Sequence, residues 1–364
     1  MPRPAHFCLR ALILWAFSLS SVAAHARIGL LVQQPFGTFG KMMPQGHASI
    51  YLDNLCADTP THLRPCHPGE SGVVLSRYHD LKSQKIDWLA YPAFTFVYGV
   101  TSPDQVPAYV TPALEAELRE SYRQANLLSI LPDHVDKHGN LRPPPYGDWE
   151  EGIGAAFDRN LLLYTIPTTP EQDAEILAYL NADPNHRRYT LGRANCADFA
   201  ADLLNLVVPG QFSKRNVPAD FDMTTPKTLA RLIDAYGQTH PSADLRVYEI
   251  PQLPGSLPRS RPIRGAAESL LRNRLYLISL LVLQPEIILA DWIIYEKRGK
   301  FTIGRDAIPL SPDQWSDNLL ARTAAPPVPP NPVKPPDTPE NAKTPVNTGD
   351  LNSQKLAYLP PPLN

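Results

Sequence analysis

Forty-one of the 364 residues are proline, about twice the usual share of roughly 5%. Proline fixes φ and removes a backbone N–H, so helix interiors and central strands must fit in the windows it leaves open. Twelve of the prolines fall in residues 323–364. Without apolar periodicity, that stretch reads as an extended, disordered proline-rich tail that spans distance and carries no core. The chain as a whole is 43% hydrophobic, enough apolar material for a sizeable buried body between residues 27 and 322. A net charge of −2 gives no electrostatic footprint for nucleic acid.

The open windows sort into two kinds. Residues 113–131, 170–180, 195–208 and 226–236 carry apolar residues at helical spacing, with Thr169 as N-cap and Pro170 in the first turn of the second. Residues 47–52 (HASIYL), 72–78 (GVVLSRY), 93–100 (AFTFVYGV) and 160–166 (NLLLYTI) are short, β-branched or aromatic, and bounded by turn residues, which predicts strands. Helices flanking a small antiparallel sheet make the fold class α+β. Residues 275–294 (LYLISLLVLQPEIILADWII) are mostly apolar. As a spanning helix they would set Gln284, Pro285 and Glu286 at the bilayer centre, where an acid costs roughly 2.5–3.5 kcal/mol. The prolines therefore predict a helix over 266–283 followed by a second apolar element, either buried or lying on a membrane surface.

The N-terminus has the form of an export signal: Arg3 and Arg10, an apolar run from Ala11 to Ala23, and Ala24-His25-Ala26 as a small-x-small cleavage site. Residues 1–26 are read as signal peptide, which sends the protein to a periplasm or cell envelope. The apolar run is shorter than the roughly 20 residues that span a bilayer. Export leaves three cysteines, Cys56, Cys66 and Cys196, in an oxidising compartment. Cys56 and Cys66 flank a short polar segment and are expected to pair, which leaves Cys196 as a lone thiol.

Cys196 follows Asn195, a good N-cap, and so falls in a first helical turn. There the free N–H groups and the helix dipole are expected to favour a thiolate and to donate to an oxyanion. The alternative is a small buried cysteine that only packs. A thiol nucleophile needs an imidazole, and His47 opens a predicted strand after a Phe/Gly/Pro-rich loop. If Asp53 faces Val73 across an antiparallel pair, the same register sets His79 opposite His47, as a third group to orient it.

Gly46-His47-Ala48, Tyr189-Thr-Leu-Gly-Arg-Ala-Asn195-Cys196 and the Thr169-Pro-Glu-Gln helix resemble the circularly permuted papain-like, NlpC-type thiol enzymes. In these a strand-initial His precedes an Asn-Cys at a helix start, in the reverse of papain's order. Within that group the chain is similar to the exported N-terminal domain of lipoprotein N-acyltransferases of the Bacteroides type. The resemblance covers roughly residues 30–240. It implies a permuted papain-like catalytic domain over 27–245, with Cys196 as nucleophile, His47 as base and His79 as third group, followed by an apolar extension over 246–322 and the tail. The disulfide-closed insertion between the two strands and the Arg-Ala before Asn-Cys depart from the usual pattern.

Gly152-Ile-Gly154 follows no strand signal, and no Walker or Gly-x-Ser-x-Gly sequence occurs. His134, His138, His62 and His67 sit in polar loops and read as solvated, so no metal or cofactor is expected. Tyr146-Gly-Asp-Trp-Glu-Glu151, with three clustered carboxylates, is a candidate cleft lining. The function expected is an exported acyl-transfer enzyme with an acyl-Cys196 intermediate, acting on lipid or lipoprotein acyl groups. Peripheral membrane contact through 275–294 favours that substrate class. A cell-wall peptidase acting on peptidoglycan and a non-catalytic envelope binding protein are the alternatives.

Overall fold

The computed structural model describes residues 26–37, 40, 44–77, 86–142, 148–186, 189–190, 192, 194–212, 220, 223–272, 277–278, 282, 285–296 and 300–315. The expected tail, the expected signal run up to residue 25 and His79 lie outside the described residues.

The strands are β1 (Arg27–Gln33), β2 (His47–Leu52), β3 (Leu55–Thr59), β4 (His62–Pro65), β5 (Val73–Arg77), β6 (Trp88–Pro92), β7 (His134–Val135), β8 (Leu141–Arg142), β9 (Leu161–Pro167), β10 (Arg246–Ile250) and β11 (Ile308–Pro309). The helices are α1 (Ala93–Tyr98), α2 (Pro112–Tyr122), α3 (Ala155–Asp158), α4 (Pro170–Ala182), α5 (Cys196–Val207), α6 (Pro226–Thr239), α7 (Ala266–Arg272) and α8 (Pro285–Ile294). The class is α+β. The sheet is larger than the small antiparallel one expected: seven strands in the order β11-β10-β9-β1-β2-β5-β6, antiparallel except for the β10–β11 edge pair. The sheet also runs past residue 245, the expected end of the catalytic domain, because β10 pairs with β9 along Arg246–Ile250.

β1 was hidden because both of its faces are covered. Ile28, Leu30 and Val32 enter one core with α4, α5 and α6, while Leu31 enters a second core with α1, Ile153 and Trp315. A strand buried on both sides reads as a continuous apolar run and loses its alternation. The same ambiguity reversed the assignment of Ala93–Val100. All six residues of α1 are buried, so its sequence AFTFVY carries no polar face to mark the helical period, and the helix stops at Gly99 with φ +70.

β3 and β4 form a separate hairpin between β2 and β5, closed by a Cys56–Cys66 disulfide with Cα atoms 4.9 Å apart. Closing a loop of this length removes about 2–3 kcal/mol of chain entropy from the unfolded state. The Cys56→Ser/Cys66→Ser double variant is expected to lose stability of that order in urea titration. Its rate of thiol alkylation at Cys196, measured under native conditions, should be unchanged, since the hairpin is a separate sheet.

Candidate active site

The thiol is set by the start of α5. Asn195 has extended backbone, and its side chain accepts from the Asp198 N–H at 3.0 Å, while the Asp198 carboxylate accepts from the Asn195 N–H at 3.1 Å. This reciprocal capping box satisfies two otherwise orphaned donors in a helix end that is fully buried. The Asn195 Nδ2 donates to the Thr224 carbonyl at 3.0 Å, tying the cap to the residue before the N-cap of α6. From β5, Arg77 reaches toward the Asn195 carbonyl at 3.5 Å, lies 4.7 Å over the Phe199 ring, and pairs with the buried Asp87 at 2.5 Å.

Cys196 is 6% exposed. The backbone N–H groups of Ala48, Ala197 and Cys196 itself favour its thiolate. The expectation that the helix end would lower the thiol pKa is corrected. Burial pushes it up to about 11, with Asp198 adding to the rise, and the three N–H groups offset only part of it.

His47 opens β2 as expected. Gly46 before it has φ +72, and a Cβ there would lie 2.2 Å from the Gln33 carbonyl oxygen, so the motif needs glycine for close backbone approach. The pleat of β2 sends Ala48, Ile50 and Leu52 into the core beneath α5, whereas Tyr51 belongs to the opposite core. By the same alternation His47 and Ser49 share the face of Tyr51. The His47 Nε2 is 2.7 Å from Ser76 Oγ, Ser49 donates to Ser76 at 3.0 Å, and Gln33 donates to Ser49 at 2.8 Å. The imidazole thus ends a polar row across β1, β2 and β5 on the sheet face opposite α5, so the structure does not bring the His47 ring and the Cys196 thiol together.

Ser76, Ser49 and Gln33 were missed because the assumed register was off by one. Leu52, not Asp53, faces Val73, which sets Ser76 opposite Ser49. A slip of one residue exchanges the faces of a strand. The signal lay in the sequence as two polar residues, Ser49 and Ser76, in otherwise apolar strands.

Burial pulls the His47 pKa down to about 4, with Glu151 favouring and Arg159 opposing its charged form. Burial acts to raise the Glu151 carboxyl, but Arg159 and His47 hold it below the usual carboxylate range. Arg159 donates to Glu151 at 2.9 Å and stacks 4.2 Å from the Phe36 ring. Glu151 therefore joins the histidine's surroundings from the Trp-Glu-Glu stretch.

No protein-family profile matches the chain, and no curated protein matches it. Among solved structures it is similar to the crystal structure of the type VI secretion system effector TseH, at 13% identity and a TM-score of 0.27, over 62% of this chain and 98% of that one. The site is argued from this chain's own residues.

Between the two pKa values, imidazole and thiol are both neutral at rest. Alkylation of native Cys196 by iodoacetamide should accelerate about tenfold per pH unit from pH 7 to 10, since only the thiolate reacts, without the plateau near neutral pH of a preformed ion pair. His47 has the opposite linkage. Its folded pKa lies below the unfolded value of 6.5, so the unfolded chain takes up the extra proton and stability falls as pH drops from about 6.5 toward 4. Urea midpoints of wild type and His47→Gln over that range should converge toward low pH.

Proposed function

We propose that the protein is an exported, cysteine-dependent acyl-transfer enzyme with Cys196 as nucleophile and His47 as base. The observation that supports it is the packing of a capped helix start on β2, where the Ala48 N–H favours the Cys196 thiolate one residue from His47. For this His47 would have to leave Ser76 and turn from the Tyr51 face of β2 to the α5 face; there its neutral imidazole would take the thiol proton as the sulfur attacks an acyl carbonyl. It would then return that proton to the leaving group as the thioester forms. Water or an amine would release the acyl group by the same steps in reverse. The N–H groups that favour the thiolate are of the kind that hold an oxyanion.

Lipid or lipoprotein acyl groups are the donors proposed, with wall peptides as the competing substrate and a permuted papain-like arrangement as the scaffold. A non-catalytic binding role has its own support: the thiol is 6% exposed, its pKa is raised, and the His47 ring is engaged by Ser76.

A small activated donor separates these readings. With p-nitrophenyl octanoate, mass spectrometry should find one octanoyl thioester on Cys196. The adduct should be absent from Cys196→Ser, and its rate of formation should fall about 100-fold in His47→Gln. A folded protein whose Cys196 stays unmodified would favour the binding role.

A further inference from the structure

The apolar segment 275–294 joins the candidate site in an unexpected way. The strap before it crosses the loop that leads to His47: the Arg261 N–H donates to the Pro35 carbonyl at 3.0 Å and the Arg264 N–H to the Pro44 carbonyl at 2.9 Å. α7 then starts on the elements that hold the cap of Cys196. The Ala266 N–H donates to Asp220 at 2.6 Å, and Lys227 of α6 pairs with Glu268 of α7 at 2.6 Å. The chain comes back to the body at Phe301 and Ile303, which pack on the core, and at Gly304, whose N–H donates to the Tyr164 hydroxyl.

Between these anchors α7 and α8 pack against each other and leave a large apolar surface in water. Val282 is 76% exposed, Ile278 62%, Leu289 58% and Trp292 52%. Among the described residues no helix is long and apolar enough to cross a membrane. From Arg259 to Lys300 there are eight basic and four acidic residues, although the whole chain carries −2. The basic residues flank the apolar stretch, at Arg272 and Arg274 before it and Lys297, Arg298 and Lys300 after it.

We propose that residues 266–296 dock on an anionic lipid surface as a re-entrant hairpin, bringing the Cys196–His47 site to the bilayer. Both ends of the excursion return to the same body, so Arg272 at one end and Lys300 at the other meet one leaflet, as a monotopic insertion requires and a span does not. The exposed Ile278, Val282 and Leu289 enter the acyl boundary, and Trp292 has the amphipathic ring suited to that depth. A second copy of the chain fits this surface less well, because it would set one basic surplus against another. The docking surface stands without the cysteine chemistry; only its use in delivering acyl substrate rests on the proposed function.

The test uses the full chain with Cys8→Ser and Cys196→Ser, carrying an environment-sensitive fluorophore at Leu289→Cys or, as control, at the exposed Val135→Cys. Vesicles of phosphatidylglycerol and phosphatidylethanolamine should shift the emission at position 289 to the blue and leave position 135 unmoved. Half-saturation should come at about a tenfold lower lipid concentration than with phosphatidylcholine alone. The proposal is overturned by an unmoved probe at 289, by equal shifts at both positions, or by a shift that grows with protein concentration without lipid, the mark of a second copy. Because Cys196 is serine in these proteins, the result is independent of whether the thiol reacts with an ester.

Discussion

The buried N-terminus of α5 is the constraint around which the candidate site is arranged. A helix end leaves N–H groups without intrahelical partners, and inside a core each must be met by the protein. Asn195 and Asp198 meet two of them reciprocally, and those of Cys196 and Ala197 favour the Cys196 thiolate. The cap is itself held, by the Thr224 carbonyl ahead of α6 and by Arg77 from β5. Arg77 can sit there only because Asp87 pairs with it in the same dry region; removal of either partner would leave a buried charge at a cost of about 3–5 kcal/mol. One helix start thus fixes the relation of α5, α6, β5 and the segment entering β6.

The electrostatics of the site follow from where these elements put it. A thiol in the first turn of an exposed helix gains from the dipole, but this one faces a sheet and is packed among apolar residues, so the loss of water outweighs three N–H contacts. Burial acts on His47 in the opposite sense and keeps it neutral. Both groups are therefore neutral at neutral pH, with their side chains on opposite faces of the sheet. The polar row Gln33–Ser49–Ser76 holds the His47 ring on its own face of the sheet. A row of neutral groups suits a place where both faces of the sheet are covered, since an unpaired charge there would be costly.

Much of the architecture was legible because local signals decide it. Thr169-Pro170 and Asn195 begin α4 and α5 through side chains that bond their own first turn, a contact over three residues that no tertiary arrangement has to supply. The strand His47–Leu52 was set by its β-branched and aromatic run and by the Gly46 turn. Pro285 starts α8, since it suits a first helical turn and breaks an interior. The Cys56–Cys66 pairing was readable from short spacing and the odd count. What escaped was long-range: β1, β6 and β10, the helical state of Ala93–Tyr98, and the partner of His47. Each depends on what covers a segment from the other side.

By itself the sequence determined the capped helix that carries Cys196, the glycine-led strand that carries His47, the disulfide and the proline break within the apolar segment, because each is enforced by contacts within about ten residues. The tertiary structure alone decided the register between β2 and β5, and with it that Ser76 faces His47. It also decided that the thiol is dry and that the apolar hairpin roots beside the cap of Cys196. Register is a choice between pairings one residue apart, and only the burial of alternate side chains on two opposed cores makes one of them lower in free energy.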